Sequence, residues 1–268
     1  MMRKHITGHL PTFTIGYEDK SFSELDYAER VSKQFGTDSH VVMVNEMTPE
    51  LIETSIHHLD EPMTDLSSIP LMLLCRKAKQ DVSVVLSGEG GDEVFAGYDR
   101  FKASKLNRAY TTLPRPLREK LVAPLLLSFK DRPQKKGAIN MLKRFIEGSL
   151  LPEEAEQIRW QFFLSQDLSD NLFSDAFRSD VAFDPFGPLR DCRARCSTRD
   201  RVNAELYTDT RFVMVDSVLM KVDKMSMASA LEVRVPFLDH RLLEMAARIP
   251  GSLKLKGMET KHIFRKAL

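Results

Sequence analysis

Three short runs rich in β-branched residues alternate with amphipathic segments near the start of the chain, and this alternation most constrains the fold. The runs are "TFTIGY" (Thr12 to Tyr17), "HVVMV" (His40 to Val44) and "VSVVL" (Val82 to Leu86). Apolar runs of this length, without polar alternation, are typical of strands in a parallel sheet that helices cover. The sequence therefore predicts an α/β fold with a parallel sheet flanked by helices.

The segments between these runs carry helix start and stop signals. In "SFSELDYAERVSKQFG" apolar residues recur at helical spacing, and Gly36 is a natural stop. A second helix should begin with Thr48 as cap and Pro49 in the first turn. A third helix is expected from Ile69 to Lys79. Parallel strands connected by helices leave their carboxyl ends on one edge, where ligands bind.

The pattern changes to helices and loops from about Lys102 onward, without a clear strand. "LPEEAEQIRW" has the proline and acids of a helix start, and its Trp160 is expected in the core. Further on, an extended "LEVRVPF" precedes a helix that should be capped by Asp239 and stopped at Pro250. The final "GMETKHIFRKAL" begins another helix. The second half is therefore predicted to be mostly helical.

Charge and cysteine usage exclude several classes of protein. The 268 residues contain 39 Lys and Arg against 38 Asp and Glu, so no overall charge draws the chain to nucleic acid or to anionic membranes. No apolar run has membrane-spanning length, and no signal peptide is recognisable at the start. Three cysteines suit free thiols in the cytoplasm. In "CRARC", Cys192 and Cys196 are interpreted as thiols one helical turn apart rather than as metal ligands.

A glycine-rich, acidic loop follows the third run, in "LSGEGGDEVFAGYDRF". Glycines such as Gly90 and Gly91 let successive backbone N–H groups turn inward, and a helix starting near Asp92 adds partial positive charge. This combination suits phosphate. Asp92 is then a candidate Mg²⁺ ligand, and Glu89 a candidate for positioning a substrate group or a proton. The alternative is an ordinary glycine turn with acidic helix capping.

The loop, with "DEPMTDLSSIPLMLL" before it and "KVDKMSMASALEVRVPFLDHRLLE" after it, resembles the synthetase domain of glutamine-dependent asparagine synthetases. The resemblance covers nearly the whole chain and implies an adenine nucleotide α-hydrolase-like fold. It divides the chain into an α/β nucleotide-binding part (1–101), a variable helical part (102–200) and a helical C-terminal part (201–268). It also implies an enzyme that uses ATP and Mg²⁺ to adenylate aspartate. Ammonia or glutamine-derived nitrogen then gives asparagine, with AMP and pyrophosphate released.

The resemblance assigns roles to individual residues. Those expected to bind the nucleotide are Ile15, Gly16, Ser87, Gly88, Gly90 and Gly91. Glu89 corresponds to an acid needed around adenylation, Asp92 to a ligand of the Mg²⁺–pyrophosphate, and Lys261 to a lysine that steadies phosphate charge. Six more residues fall in family motifs without an assigned step, and a buried ion-pair network is the preferred interpretation for them: Asp60, Asp65, Asp223, Lys224, Glu232 and Arg234.

Two elements of the family pattern are not found in this sequence: the pyrophosphate-binding loop and the N-terminal glutaminase domain. Cys75 is no substitute for the glutaminase nucleophile, because it lies inside the apolar "LMLLCRKA". The chain is therefore interpreted as an internal fragment or split product, truncated at both ends. A strand lost with that loop would leave an unpaired sheet edge, and the isolated chain is expected to have weak or no activity.

Alternatives to the asparagine-forming function stay open. One is a non-catalytic relic or interaction module that keeps the nucleotide-binding architecture. Another is a related amidotransferase that acts on a different carboxylate, although Glu89 favours the aspartate type over β-lactam-forming relatives. Nitrogen could reach the site through a separate glutaminase-bearing chain. The oligomeric state is undecided, a homodimer included.

Overall fold

A computed structural model provides the coordinates. It describes residues 2–19, 23–63, 65–130, 137–152, 155–156, 168, 171–180, 184 and 186–268. Most of the helix predicted from "LPEEAEQIRW", including Trp160, lies outside these ranges. The chain divides into two compact units, each made of two stretches: unit 1 is Met1–Glu89 with Val215–Pro236, and unit 2 is Gly90–Met214 with Phe237–Leu268. The three segments drawn from the sequence stay a prediction.

The strands of unit 1 form two separate parallel pairs. β1 (Pro11–Gly16) pairs with β2 (Asp38–Met43), and β3 (Val84–Leu86) pairs with β4 (Glu232–Arg234). The predicted strands and their parallel direction are therefore confirmed. The expectation of one sheet is wrong for the described residues, because β3 pairs with β4, which the sequence presents only as an extended segment. Each pair leaves sheet edges, and whether a further strand covers one stays a prediction.

The described residues of unit 1 also form the helices α1 (Leu25–Phe35), α2 (Pro49–Leu59), α3 (Ser68–Lys79) and, in the second stretch, α12 (Met220–Met227). The predicted stop of α1 and start of α2 are confirmed: Gly36 closes α1 with a φ of 58°, and the Thr48 hydroxyl accepts a hydrogen bond from the Leu51 N–H at 3.4 Å. A short 3₁₀ turn occupies Met2–Lys4, and a π-helical turn, Met214–Leu219, leads into α12.

The core of unit 1 lies on α3. Cys75 and Ala78 of α3 pack against Leu231, with Val85 and Val233 from the β3–β4 pair. Burial raises the pKa of the Cys75 thiol to about 11, which disfavours a thiolate nucleophile there. Other apolar side chains of unit 1 are exposed to solvent, namely Val31 and Phe35 on α1 and Val41 and Met43 on β2. Complete burial of both faces of each strand, expected from the sequence, is therefore wrong.

The regular secondary structure described in unit 2 is helical, apart from an isolated bridge between Lys256 and Glu259. Its helices before residue 215 are α4 (Gly91–Phe95), α5 (Asp99–Tyr110), α6 (Arg115–Leu117), α7 (Ala123–Leu127), α8 (Ala138–Leu150), α9 (Asp175–Asp180), α10 (Gly187–Ala194) and α11 (Arg201–Arg211), with a π-helical turn at Arg118–Val122. After the 3₁₀ turn Pro236–Leu238 come α13 (His240–Arg248), α14 (Gly251–Lys254) and α15 (His262–Ala267). Asp239 caps α13 as predicted, accepting from the Arg241 N–H at 2.9 Å. Among the described residues, no helix has the length and apolar character needed to cross a membrane.

Candidate functional site

The glycine-rich loop begins in unit 1, where β3 ends. The Ser87 N–H donates to the Arg234 carbonyl at 2.9 Å, which extends the β3–β4 pairing by one residue. The Ser87 side-chain oxygen accepts a 3.4 Å hydrogen bond from the Glu89 N–H. That amide is therefore already engaged within the loop, whereas Gly88 is exposed and Glu89 is half-buried. Ile15 and Gly16 lie at the end of β1 in the same unit.

Gly16 is buried at the carboxyl end of β1. A Cβ placed on Gly16 would lie 2.5 Å from the Met43 sulfur and 2.8 Å from Leu25 Cδ1. A larger residue here would therefore require the Met43 side chain of β2 and the Leu25 side chain of α1 to move, whatever the nucleotide requires. Its assigned contact with the nucleotide stays a prediction.

The second half of the loop lies in unit 2 and is buried. Gly90 has a φ of +82°, in the left-handed region that favours glycine, and a Cβ there would meet Leu238 Cδ2 at 2.3 Å. Gly91 is also buried and begins α4. The helix expected near Asp92 is therefore present but has only five residues, because Ala96 adopts a left-handed conformation with a φ of 56° and ends it. Its dipole can act only weakly.

Asp92 and Lys261 form an ion pair beside this turn. The Lys261 ammonium lies 2.8 Å from Asp92 Oδ1, and both side chains are partly exposed. A Cβ placed on Gly91 would lie 3.9 Å from the Lys261 ammonium, so the lysine also faces the backbone of the loop. Lys261 itself has a left-handed φ of 51° immediately before α15, a strained conformation for a lysine.

Apolar packing brings α4 and α15 together. Val94 and Phe95 of α4 are buried in a cluster with Ala246, Ile263 and Phe264. The rings of Phe95 and Phe264 stack with centroids 5.1 Å apart. This packing therefore brings Asp92 and Lys261, which are far apart in the sequence, next to each other at its partly exposed edge.

Gly97 provides the space that the Asp92–Lys261 pair occupies. A Cβ on Gly97 would lie 1.7 Å from Asp92 Oδ1 and 2.3 Å from Lys261 Cε. The Gly97 φ is outside the left-handed region, so glycine is needed here for space rather than for backbone freedom. Gly97 lies within the glycine-rich loop, but its sequence context gives no sign of this role.

The acids at the start of α4 differ in what they can bind. Glu93 is buried, and its carboxylate accepts a short hydrogen bond from the Tyr98 hydroxyl. Because Asp92 is partly exposed and Glu93 is buried, only Asp92 of these two acids can bind a cation from solvent. One carboxylate beside a lysine and a glycine turn fits Mg²⁺ held by phosphate oxygens, since Mg²⁺ is commonly bound through one or two carboxylates plus phosphates.

The sequence matches the family described as Asparagine synthase over residues 1–268. The chain belongs to the asparagine synthase family. It is 32% identical over 265 residues to asparagine synthetase [glutamine-hydrolyzing] 1 of Bacillus subtilis, covering 96% of this chain and 39% of that protein. It is 34% identical over 265 residues to a putative asparagine synthetase [glutamine-hydrolyzing] of Mycobacterium tuberculosis, covering 97% of this chain and 38% of that protein.

A third relative has a different name. Amidase chyE of Penicillium rubens is 27% identical over 281 residues, covering 97% of this chain and 40% of that protein. The chain thus spans about two fifths of the length of these curated relatives. Family membership confirms the resemblance drawn from the three motifs.

The buried ion-pair network predicted for six residues of the family motifs is wrong. Asp60, Asp223, Glu232 and Arg234 are exposed, and the 2.7 Å contact between Glu232 and Arg234 is on the surface. Asp65 does form an ion pair, at 2.6 Å, but with Lys221. Asp60 follows the last residue of α2, and Glu232 and Arg234 are the first and last residues of β4, positions where polar side chains stay in solvent.

Unit 2 contains a buried charged network that was not predicted from the sequence. Arg100 of α5 contacts Asp209 of α11 at 2.6 Å, and both are buried. One helical turn along each helix, the Ser104 hydroxyl donates to the buried Glu205 carboxylate. Polar residues spaced four apart within otherwise apolar helix faces were the available signal, in "DRFKAS" and "ELYTD".

The network carries more acidic than basic groups, and this predicts a pH dependence of stability. Burial raises the pKa of Asp209 to about 6; Arg100 opposes the rise, and the charges of Glu93 and Glu205 add to it. A carboxyl group whose pKa is higher in the folded than in the unfolded chain binds its proton more tightly when folded. Its contribution therefore makes unfolding harder as pH falls from 7.5 to 5.5, by about 1 kcal/mol.

Urea denaturation at both pH values checks this expectation. The gain in unfolding free energy on acidification should be smaller in Asp209→Asn than in the wild type, because asparagine has no proton to take up. Asp175→Asn, at an exposed position, should keep the wild-type response. Equal responses in all three proteins would show that Asp209 keeps an ordinary pKa in the folded state.

Proposed function

We propose that the chain is the amide-forming part of an ATP-dependent synthetase that converts aspartate to asparagine. An oxygen of the aspartate side-chain carboxylate attacks the α-phosphorus of ATP, and the bond to pyrophosphate breaks. Ammonia then attacks the carbonyl carbon of the acyl-adenylate, the bond to the AMP oxygen breaks, and the nitrogen loses a proton. Family membership and the likeness, over 96% of this chain and 39% of the relative, to a protein named asparagine synthetase support this reaction class.

The contact between Asp92 and Lys261 carries the proposal. The resemblance assigned both residues to the same pyrophosphate, from motifs far apart in the sequence. In the structure their charged groups are 2.8 Å apart, next to the glycine turn. Surface ion pairs form easily and contribute little. This one, however, needs a left-handed lysine and a glycine with no room for a methyl group, features that a chance contact does not require.

Each predicted site residue has a proposed task. ATP supplies an activated phosphorus when it is bound. Lys261 balances the charge that builds on the departing pyrophosphate, and Asp92 holds Mg²⁺ against the same oxygens. Gly90 and Gly91 let the backbone approach the phosphates, and Glu89 orients the reacting carboxylate. Ser87 and Gly88 contact the nucleotide, and Ile15 and Gly16 contact its adenosine.

The source of nitrogen and the setting also belong to the proposal. Nitrogen is taken up as ammonia, or as glutamine-derived ammonia through a glutaminase-bearing chain. The near-neutral charge and the cysteine usage favour a cytoplasmic enzyme, and a homodimer is compatible with either source.

A second candidate function is amide formation on another carboxylate. The likeness to a protein named an amidase, over 97% of this chain, favours it. The same phosphate chemistry would serve that reaction, because the difference lies in which acid is activated. A non-catalytic binding module is the third candidate.

Aspartate-dependent exchange of labelled pyrophosphate into ATP tests the proposal on the whole chain with Mg²⁺. We expect exchange that is weak in the isolated chain, needs aspartate and falls about 100-fold in Asp92→Asn, in Lys261→Met and in Glu89→Ala. Matched controls are Asp99→Asn, at an exposed helix start, and Lys266→Met, on the exposed side of α15. Both should leave exchange unchanged.

The outcomes separate the three candidates. Exchange stimulated by a different acid but not by aspartate favours the second function. Binding of ATP measured by calorimetry, without exchange under any acid, favours the binding module. If the chain shows neither ATP binding nor exchange, all three candidate functions are overturned. Exchange at the wild-type level in Asp92→Asn would overturn the assignment of the site residues.

A further inference from the structure

Two histidines and an aspartate converge on the surface of unit 1, outside the site described above. His9 Nε2 lies 3.4 Å from Asp38 Oδ2, and His40 Nε2 lies 3.0 Å from the same oxygen. One ligand atom from each of the three residues lies within 4.8 Å of the other two. No other group of three or more such residues is found in the part of the chain that the structure describes.

The β1–β2 pairing creates this arrangement. The Asp38 N–H donates to the Leu10 carbonyl at 3.0 Å, which holds the segment before β1 beside the start of β2. Asp38 and His40 are two residues apart in β2 and therefore point to the same side of the strand. His9 comes from the neighbouring segment. Asp38 and His40 are thus fixed by strand pairing, whereas His9 lies in the irregular segment that the Leu10–Asp38 hydrogen bond holds beside them.

Two further contacts orient the His40 ring. It stacks on Phe13, its partner in the strand register, with centroids 5.1 Å apart. Its Nδ1 faces Asp81 Oδ2 at 3.8 Å, while Nε2 faces Asp38. A histidine whose second ring nitrogen faces a carboxylate is the usual arrangement at metal sites, because the carboxylate fixes the ring and makes the other nitrogen a better ligand.

We propose that His9, Asp38 and His40 form a binding site for a divalent transition-metal ion, with Zn²⁺ as the best fit. Ligands about 2.0 to 2.2 Å from a tetrahedral ion lie about 3.3 to 3.6 Å apart. The 3.4 Å between His9 and Asp38 matches this separation, and the 3.0 Å between His40 and Asp38 would have to lengthen by a few tenths of an ångström when the ion binds. Imidazole nitrogen suits Zn²⁺, whereas Mg²⁺ prefers oxygen alone. Two nearby carboxylates, Asp38 and Asp81, balance the charge of the ion. A water molecule completes the fourth position.

The site is separate from the proposed ATP chemistry in residues and in chemical type. Asp92 offers an oxygen to an ion shared with phosphate, whereas this site offers two nitrogens and one oxygen. A bound ion would link the segment before β1 to β2 and so raise the temperature at which the chain unfolds.

Calorimetric titration of the untagged whole chain with zinc chloride at pH 7.5 tests the proposal. We expect one Zn²⁺ per chain and a rise in melting temperature, neither of which Mg²⁺ produces at the same concentration. The double variant His9→Gln with His40→Gln should bind at least tenfold more weakly. The matched control, His57→Gln with His58→Gln, removes an adjacent histidine pair on α2 and should bind as the wild type does.

His9→Gln alone guards against a trivial loss of fold, because the His9 side chain is 67% exposed and its removal leaves the strand pairing intact. It should lower the affinity tenfold while the circular dichroism spectrum stays unchanged. Absence of stoichiometric Zn²⁺ binding in the wild type, or unchanged affinity in His9→Gln, would overturn the proposal.

Discussion

Gly97→Ala is expected to separate Asp92 from Lys261 and to lower aspartate-dependent pyrophosphate exchange about 100-fold. A single methyl group is enough, because it would lie 1.7 Å from Asp92 Oδ1 and 2.3 Å from Lys261 Cε. The end of the Lys261 side chain can move. The backbone of Asp92 cannot, because it belongs to α4 and its carbonyl accepts a hydrogen bond from the Gly97 N–H at 2.9 Å. The Asp92 side chain must therefore rotate away from Lys261.

Overpacking should also reduce stability, by about 1 to 3 kcal/mol in urea denaturation. The double variant Gly97→Ala with Asp92→Ala removes the worst clash, so it should regain stability without regaining exchange. Gly187→Ala is the matched control: its added Cβ would meet Asp184 at 3.7 Å, an ordinary contact, and should change neither measurement. Exchange at the wild-type level in Gly97→Ala would show that the ion pair is not needed.

Local signals predicted several helix ends in the described part of this chain. The ends of α1, α2 and α13 depend on neighbouring residues alone: Gly36 adopts the left-handed conformation, and Thr48 and Asp239 accept from amides in the first turn. Such interactions span a few residues, so a sequence reveals them directly.

Pairing between distant segments was not predictable in the same way. β4 is three residues long and half exposed, so its sequence resembles an extended connection, and only pairing with β3 makes it a strand. The burial of individual side chains was wrongly predicted for the same reason. Val31 and Phe35 recur at helical spacing on α1, yet both are exposed. Spacing shows that a helix has an apolar face but not what covers that face.

The candidate site divides similarly. The resemblance supplied Asp92 and Lys261 separately, and each could be named from its own motif. Their contact depends on the packing of Phe95 on Phe264, and the requirement for Gly97 depends on that contact. The site residues were therefore predictable one at a time. The constraint that links them depends on packing between segments that are far apart in the sequence, so it could not be predicted.

Arg100→Ala is expected to cost about 3 to 5 kcal/mol of unfolding free energy at pH 7.5, because it leaves the Asp209 carboxylate buried without its cation. Glu93 and Glu205 raise the pKa of Asp209, so they are close enough to make the loss worse. Arg100 also lies over the Tyr98 ring, with its guanidinium carbon 4.1 Å from the centroid, and this contact is lost as well. Urea denaturation measures the difference.

Acidification should restore part of that loss, since a proton on Asp209 then replaces the missing cation. Arg178→Ala is the matched control: its 2.6 Å pair with Asp175 is exposed, so its removal should cost less than about 1 kcal/mol at either pH. The double variant Arg100→Met with Asp209→Leu should be more stable than Arg100→Ala, because it removes both buried charges and fills the space with apolar groups. If Arg100→Ala loses no more unfolding free energy than Arg178→Ala, removal of Arg100 does not leave a costly buried charge on Asp209. The charged contact between α5 and α11 would then be as weak as one on the surface.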